Sequence, residues 1–402
     1  MKLTKGSLPT LTFLVLLFLL HIGGCSHKET NESRYKVTEF KESRKYVKNG
    51  VSTVFLKGSP YEIGLAHGNL CKDEIITANK SFFDYYDQIP EDTYNRWLQV
   101  SKNIQSHIPN EYIEEMRGIS DGSGVEYEKI LFVNLLSTLS QRKKCFAFSF
   151  TDSNSERFTF RQVDISSKSP LYKNMILFIV KPLNGYGFAA ILNPGWVDGE
   201  TGINENGITI SQNNIGINQT EWNVMPITHL SRKMLQYSKT IDDAERILDN
   251  QEAYPARLLF MSSKDRASIF EIANKEKSRT DMTNGFLAMA NHACSISSKR
   301  IRKKSTERLE YANRFYAENE GKMDVNKALR LVRSSKITWL WTPGVQNRQS
   351  FFFSPSTLDF WIAIPPDSRF LPASYGPYVG FNLLDELYGK GDDPSPESFP
   401  GR

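Results

Sequence analysis

The 402-residue chain is 40% hydrophobic, 12% aromatic and 24% charged, a balance that supports a sizeable core and excludes disordered, collagen-like and disulfide-scaffold proteins. Its 50 Lys and Arg against 45 Asp and Glu leave a net charge of +5, too small an excess for the electrostatic footprint of a nucleic-acid binder. Length alone admits one large layered domain or two to three smaller ones.

Lys2 and Lys5 precede a ten-residue run, Leu11 to Leu20, that is apolar except for Thr12. The run is too short to span a bilayer but suits the hydrophobic region of a signal peptide. That signal-like segment ends in Ile22, Gly23, Gly24 and Cys25, with small residues before a cysteine that resemble a bacterial lipobox. The expectation is a signal peptide over 1–24, lipidation of Cys25, and a protein held by its acyl chains on the outer side of a bacterial cell membrane. Residues from 26 to about 44 are polar and charged, so 25–50 reads as a tether, with a folded domain over 51–388. The tail 389–402, with three prolines, reads as disordered.

Apolar residues recur at spacings of three and four over 61–86, 92–108, 111–119 and 126–139, which predicts helices through the first third. From Cys145 the pattern changes to short alternating or wholly apolar runs. These predict strands at 145–150, 158–163, 175–180, 187–192 and 208–211, with tight turns at Asn184-Gly185 and Asn206-Gly207. Helices are expected again at 225–237, 241–249, 305–317 and 325–332, and further strands at 256–261, 267–272, 286–290, 350–353 and 358–364. Hairpin-rich sheets with helices grouped outside them indicate an α+β layered domain rather than alternating βαβ units.

Gly118-Ile119-Ser120-Asp121-Gly122 fits the G-x-S-x-G pattern of a serine nucleophile elbow, but it follows a helix, whereas an elbow joins a strand to a helix. It reads better as a glycine-terminated helix end. The six histidines are scattered without a zinc-binding spacing, and His67 and His292 read as buried structural residues. Of the cysteines beyond Cys25, a Cys71–Cys294 bond would leave Cys145 as the odd thiol. Cys145 opens the first strand after Arg142, Lys143 and Lys144. If the next strand is its hairpin neighbour, Arg161 and Asp164 both come near it, placing a cation by a thiol and a carboxylate by an amine. Thiolate is the nucleophilic form. The other reading of Cys145 is a small buried residue at a strand start.

Separated stretches carry a resemblance. Residues 58–68 (GSPYEIGLAHG) and 114–125 (EEMRGISDGSGV) resemble the helical lead-in of the acyl-coenzyme A:6-aminopenicillanic acid acyltransferase family, a branch of the N-terminal-nucleophile (Ntn) hydrolases akin to bile salt hydrolases. Cys145, Arg161 with Asp164, Asn204 within NENGI, Asn291-His292, and Arg308 within STER follow in that superfamily's order and approximate spacing. The resemblance implies an αββα sandwich of two stacked antiparallel sheets, a cofactor-free and metal-free site, and a small-molecule acyl-amide substrate. It also implies scission between Lys144 and Cys145, so that one residue supplies both a thiol and an α-amine, whose ordinary pKa of about 7.7–8.0 suits a general base. In that scheme Asp164 orients the amine and Arg161 stabilises charge. Asn204 and Asn291 donate to the oxyanion, and Arg308 anchors the site or touches substrate. The chain departs from the family at Lys144 and Phe146, where Gly and Thr are usual, and at Gln162-Val163. The alternative is a surface lipoprotein that binds ligands without catalysis. Asn204 and Asn206 also suit a plain turn before Gly207, and the run 299–304 suits a solvated loop.

Overall fold

The change of period at Cys145, from helical to alternating, divides the chain into a helical lead-in and a sheet-forming remainder. A computed structural model describes residues 37–86, 91–139, 144–170, 175–217, 219–297, 303–338, 345–363 and 371–389. The lead-in holds β1 (Thr38–Phe40), β2 (Ser43–Lys48), β3 (Val51–Gly58), α1 (Pro60–Leu70), α2 (Lys72–Tyr86), α3 (Glu91–Ile104), α4 (Asn110–Ser123) and α5 (Tyr127–Leu139). Next come β4 (Lys144–Thr151), β5 (Arg157–Ser166), β6 (Ile176–Pro182), β7 (Phe188–Leu192), β8 (Thr201–Asn204), β9 (Thr209–Asn213), α6 (Ile227–Tyr237) and α7 (Ile241–Asp249). The remainder is β10 (Tyr254–Ser262), β11 (Ala267–Asn274), β12 (Glu276–Asp281), β13 (Phe286–Met289), α8 (Lys303–Ala317), α9 (Val325–Arg333), β14 (Val345–Ser354), β15 (Asp359–Ala363), β16 (Tyr378–Asn382) and α10 (Leu383–Tyr388).

The strands form a ten-stranded sheet, β1-β2-β3-β6-β7-β8-β9-β10-β11-β12, and a six-stranded sheet, β13-β4-β5-β14-β15-β16. Period-two alternation gives each sheet two apolar faces, and the clusters show what covers them. Phe55, Leu177 and Ile179 of the larger sheet pack against Phe351, Phe353 and Phe360 of the smaller. Val54, Leu56, Phe178 and Leu259, on the larger sheet's other face, join Ile63, Phe82, Met116, Leu136 and Leu230 of the lead-in helices and α6. Phe146, Phe148, Phe160 and Phe352 join Ala312, Ala328 and Leu331 of α8 and α9. The result is the expected α+β, αββα arrangement. One pairing departs from the antiparallel expectation: β3 and β6 run parallel, with Thr53 opposite Leu177, because the whole of α1–α5 and the β4–β5 hairpin intervene as a crossover.

Residues 38–48, expected within the tether, are instead the first two strands of the larger sheet. Their charged composition hides the pairing, yet Lys48 is buried in a 2.7 Å ion pair with Glu386 of α10, which also accepts a hydrogen bond from Tyr46. The Cys71–Cys294 bond is not formed: Cys71 is buried in the helical layer and Cys294 is exposed. The signal peptide, Cys25 and residues 390–402 lie outside the described residues, as do 299–302 of the basic run.

The glycines of the serine-elbow look-alike have a packing role. Helix α4 continues through both and ends at Gly124, whose φ of +76° makes the left-handed cap; Gly118 is therefore not the helix end. Ser120 Oγ donates to the Val125 carbonyl at 2.7 Å, closing that cap. Gly64 and Gly68 of α1 face Gly118 and Gly122 of α4 so closely that a Cβ on Gly64 would stand 1.9 Å from the Glu115 carbonyl oxygen. The helix backbones touch, and only glycine permits it. Gly64→Ala should therefore lower stability by about 3 kcal/mol or more in urea unfolding, whereas an Ala at the capping Gly124, which has nothing within 4 Å, pays only the cost of its backbone angle, about 1–2 kcal/mol.

His67 and His229 are buried between these helices and the sheet. Burial first, and then the Arg232 charge, hold both imidazoles down to a pKa of about 3. Each is neutral when folded and gains a proton near pH 6.5 when unfolded, so the unfolded chain binds more protons between about 3 and 6.5 and stability falls as pH drops through that window. The urea midpoint is expected to decline from pH 6.5 towards 4, and His67→Gln should reduce that slope by about one proton.

Candidate active site

The β4–β5 pairing sets Cys145 opposite Val163 and Lys144 opposite Asp164. Side chains alternate across a strand, so Cys145, Ala147, Arg161 and Val163 point to the larger sheet, while Phe146, Gln162 and Asp164 point to α8. Arg161 and Asp164, expected as joint neighbours of the thiol, therefore occupy opposite faces of β5. Three residues of separation is an odd number, and odd separations change face.

On the inner face Arg161 is fully buried. Its Nη2 pairs with Glu200 Oε1 at 3.1 Å, its Nε donates to Thr201 Oγ1 at 3.3 Å, and its Nη1 donates to Asn213 Oδ1. Asn213 in turn donates to the Ala290 carbonyl at 2.8 Å, next to Asn291. A buried guanidinium needs such a partner for its charge and its donors.

On the outer face Asp164 Oδ2 accepts from Arg308 Nη2 at 2.6 Å. Its Oδ1 accepts from Gln162 Nε2 at 2.9 Å and Asn347 Nδ2 at 3.0 Å. Arg308 also donates from Nη1 to the Cys145 carbonyl at 3.1 Å and lies 5.1 Å from the centre of the Phe146 ring. Arg308 is thus no solvated helix charge; it joins the carboxylate to the backbone of Cys145.

The Cys145 backbone N–H donates to Asn291 Oδ1 at 2.8 Å. Because that N–H can only donate, the amide oxygen of Asn291 must face it, and its nitrogen turns to the Asn214 carbonyl at 3.0 Å. Ser305 of α8 holds the segment, accepting from Asn291 N at 2.7 Å and meeting His292 Nδ1 at 2.7 Å. In the uncut chain the Cys145 amide hydrogen goes to Asn291 Oδ1, while Asp164 is held by Arg308, Gln162 and Asn347. Burial lowers the His292 pKa, in keeping with a structural role.

Asn204 does not join the site. Its Nδ2 donates to the Leu235 and Ser238 carbonyls at 2.9 and 2.7 Å, and its Oδ1 accepts from Asn206 N and Ile208 N, both at 3.0 Å. It is a turn residue that ties β8 to α6, and no amide hydrogen is left for an oxyanion. Cys145 itself is fully buried, with an amide nitrogen as long as Lys144 precedes it. Among the described residues no group of His, Cys, Asp and Glu is arranged to hold a metal ion.

Glu200, Asn213 and Asn347 were not singled out from sequence, and Ser305 entered only as the first residue of the STER motif. Asn213 ends the mostly polar strand TISQN and Asn347 sits among Gln346, Arg348 and Gln349 at a register shift in β14, so neither stood out from its polar neighbours. Breaking the Asp164–Arg308 pair from either side leaves a buried charge alone. Asp164→Ala and Arg308→Ala are each expected to cost roughly 3–5 kcal/mol, and the double variant less than the two together, in a double-mutant cycle read by denaturant unfolding.

Residues 150–343 match the family model for acyl-coenzyme A:6-aminopenicillanic acid acyl-transferase. The match spans Arg161, Asp164, Asn204, Asn291 and Arg308 and begins five residues after Cys145. An uncharacterized protein of Archaeoglobus fulgidus is 28% identical over 241 residues, covering 51% of this chain and 40% of that protein. Protein dcd1A of Dictyostelium discoideum is 25% identical over 229 residues, 49% of this chain and 52% of its own. The chain therefore spans about half the length, or less, of these relatives. Among solved structures, a Caenorhabditis elegans ortholog of N-acylethanolamine-hydrolyzing acid amidase is 12% identical with a TM-score of 0.42, covering 52% of this chain and 93% of that one.

Proposed function

We propose that this chain, a member of the acyl-coenzyme A:6-aminopenicillanic acid acyl-transferase family through residues 150–343, is an exported amidohydrolase or acyltransferase that cleaves linear amides through Cys145. One observation carries the reading: Cys145 is held at both of its backbone polar atoms, the nitrogen by Asn291 Oδ1 and the carbonyl by Arg308, which is itself paired with Asp164. Any buried backbone N–H and C=O needs a partner; what supports the reading is that both partners here are side chains, one of them a buried cation balanced by Asp164.

In the first step the Cys145 sulfur attacks the Lys144 carbonyl carbon. An S–C bond forms, the C–N bond breaks, and a proton goes to the leaving Cys145 nitrogen; water then cleaves the thioester and leaves a carboxylate on Lys144. The new α-amine titrates near neutral pH and serves as base for the thiol and as acid for a leaving amine. A substrate amide follows the same path, its acyl group passing to sulfur and then to water or another acceptor. The segment before Cys145 supplies β3, hydrogen-bonded between β2 and β6, and Glu115, paired in the core with Arg232 at 3.2 Å, so the two pieces stay together. Export rests on the signal-like stretch 1–24 and anchoring on Cys25.

The full burial of Cys145 favours the second reading, a surface lipoprotein that binds acylated ligands without cutting them. Intact-mass measurement of the purified protein separates the two. The enzyme reading expects two co-eluting pieces, the second beginning at Cys145. Cys145→Ala should give one uncut chain inactive across a panel of N-acyl amides, and Ser120→Ala should behave as the wild type. A single uncut wild-type chain without amide hydrolysis selects the binder.

A further inference from the structure

We propose that His67 and Asn134, both in the segment before Cys145, are positioning residues for the Cys145 site: together they hold the buried loop 193–199 that delivers Glu200 and Thr201 to Arg161. The assignment rests on the reading of Cys145 as nucleophile.

Every residue from 191 to 200 is buried. A loop in that position lacks water for its backbone and must find other partners. Two side chains supply them. Gly195 N–H donates to His67 Nε2 at 3.0 Å. Asn134 receives Val197 N–H on Oδ1 at 2.6 Å and donates from Nδ2 to the Gly195 carbonyl at 2.9 Å. Trp196 N closes the turn on the Asn193 carbonyl at 3.2 Å. Gly195 needs its positive φ of +84° to present both of its polar groups, and a Cβ on Gly199 would stand 2.6 Å from the Arg232 backbone. The loop is thus clamped between α1, α5 and α6.

Glu200 and Thr201 follow immediately and bind Arg161. From Arg161 the bonds continue through Asn213 to the Ala290 carbonyl, and Asn291 reaches the Cys145 nitrogen. The grip therefore begins a continuous path to the reacting residue. A role in packing alone would be met better by an apolar side chain, which needs no desolvation of an imidazole. His67 must instead be an acceptor at Nε2, so its proton sits on Nδ1.

Hydrogen–deuterium exchange and the rate of scission before Cys145, both on the full chain, test this. His67→Leu removes the acceptor and should speed exchange over 193–200 by about tenfold and slow scission by at least about tenfold, while β12 exchanges as in the wild type. His67→Gln restores an acceptor and should return scission to within about threefold of the wild type. Asn134→Ala should reproduce the Leu phenotype and decides the matter if His67→Leu does not fold. Unchanged loop exchange in the variants, or a loosened loop with wild-type scission, overturns the assignment. A wild-type chain that stays uncut, like Cys145→Ala, overturns the reading of Cys145 and the assignment with it; fast loop exchange in the variants then marks the failure as belonging to the nucleophile and not to the grip.

Discussion

The register of one hairpin governs the rest. With Cys145 opposite Val163, the thiol, Arg161 and the Glu200 pair fall between the sheets, and Asp164 falls beneath α8 with Arg308. A slip of one residue would exchange the faces. It would drive Asp164 and Gln162 into the inter-sheet core and put Arg161 among the phenylalanines of the outer face. The row Phe146, Phe148, Phe150, Phe158 and Phe160 resists that slip, since its burial against α8 and α9 is available in one register only. The geometry around Cys145 is therefore held by apolar surface on the face away from the thiol.

The central strands and most helices were legible because their periods are unambiguous. What escaped has local reasons. Strand β12, EKSRTD, is an edge strand without a large apolar residue, and its half-buried Lys277 and Arg279 pair with Glu245 and Asp242 of α7; a strand stabilised by ion pairs to a neighbouring helix carries no alternation of hydrophobicity. Strand β8, TGIN, is short and contains a glycine whose Cβ would meet the Ala189 carbonyl oxygen at 2.4 Å. For the site, the residues were largely found but their division between two faces was not. The odd spacing of Arg161 and Asp164 already contained it. Glu200 and Asn213 lay beyond reach, because composition does not say which polar residue within a buried stretch will meet a charge on another strand.

Asn204 illustrates the opposite error. An Asn-Glu-Asn-Gly turn satisfies its own backbone, and the first asparagine caps Asn206 and Ile208 as such turns require. Its order in the chain suited a catalytic donor, but its hydrogen bonds are consumed by the turn and by the end of α6. A residue that resolves a local backbone problem completely has nothing left to offer a substrate.

Under the proposed mechanism, scission changes very little of what the uncut chain has already built. The Cys145 nitrogen carries a hydrogen before and after cleavage, so Asn291 Oδ1 can hold it as an amide and as an amine. The Cys145 carbonyl stays on Arg308, whose charge Asp164 balances. Nothing at the nucleophile's backbone needs to be reorganised, which is the condition under which fixed dipoles act most effectively. The groups left to move are the sulfur and Lys144. The lead-in segment is then more than a piece to be cut: through His67 and Asn134 it braces the loop behind Arg161, and it must remain docked for the site to keep its shape.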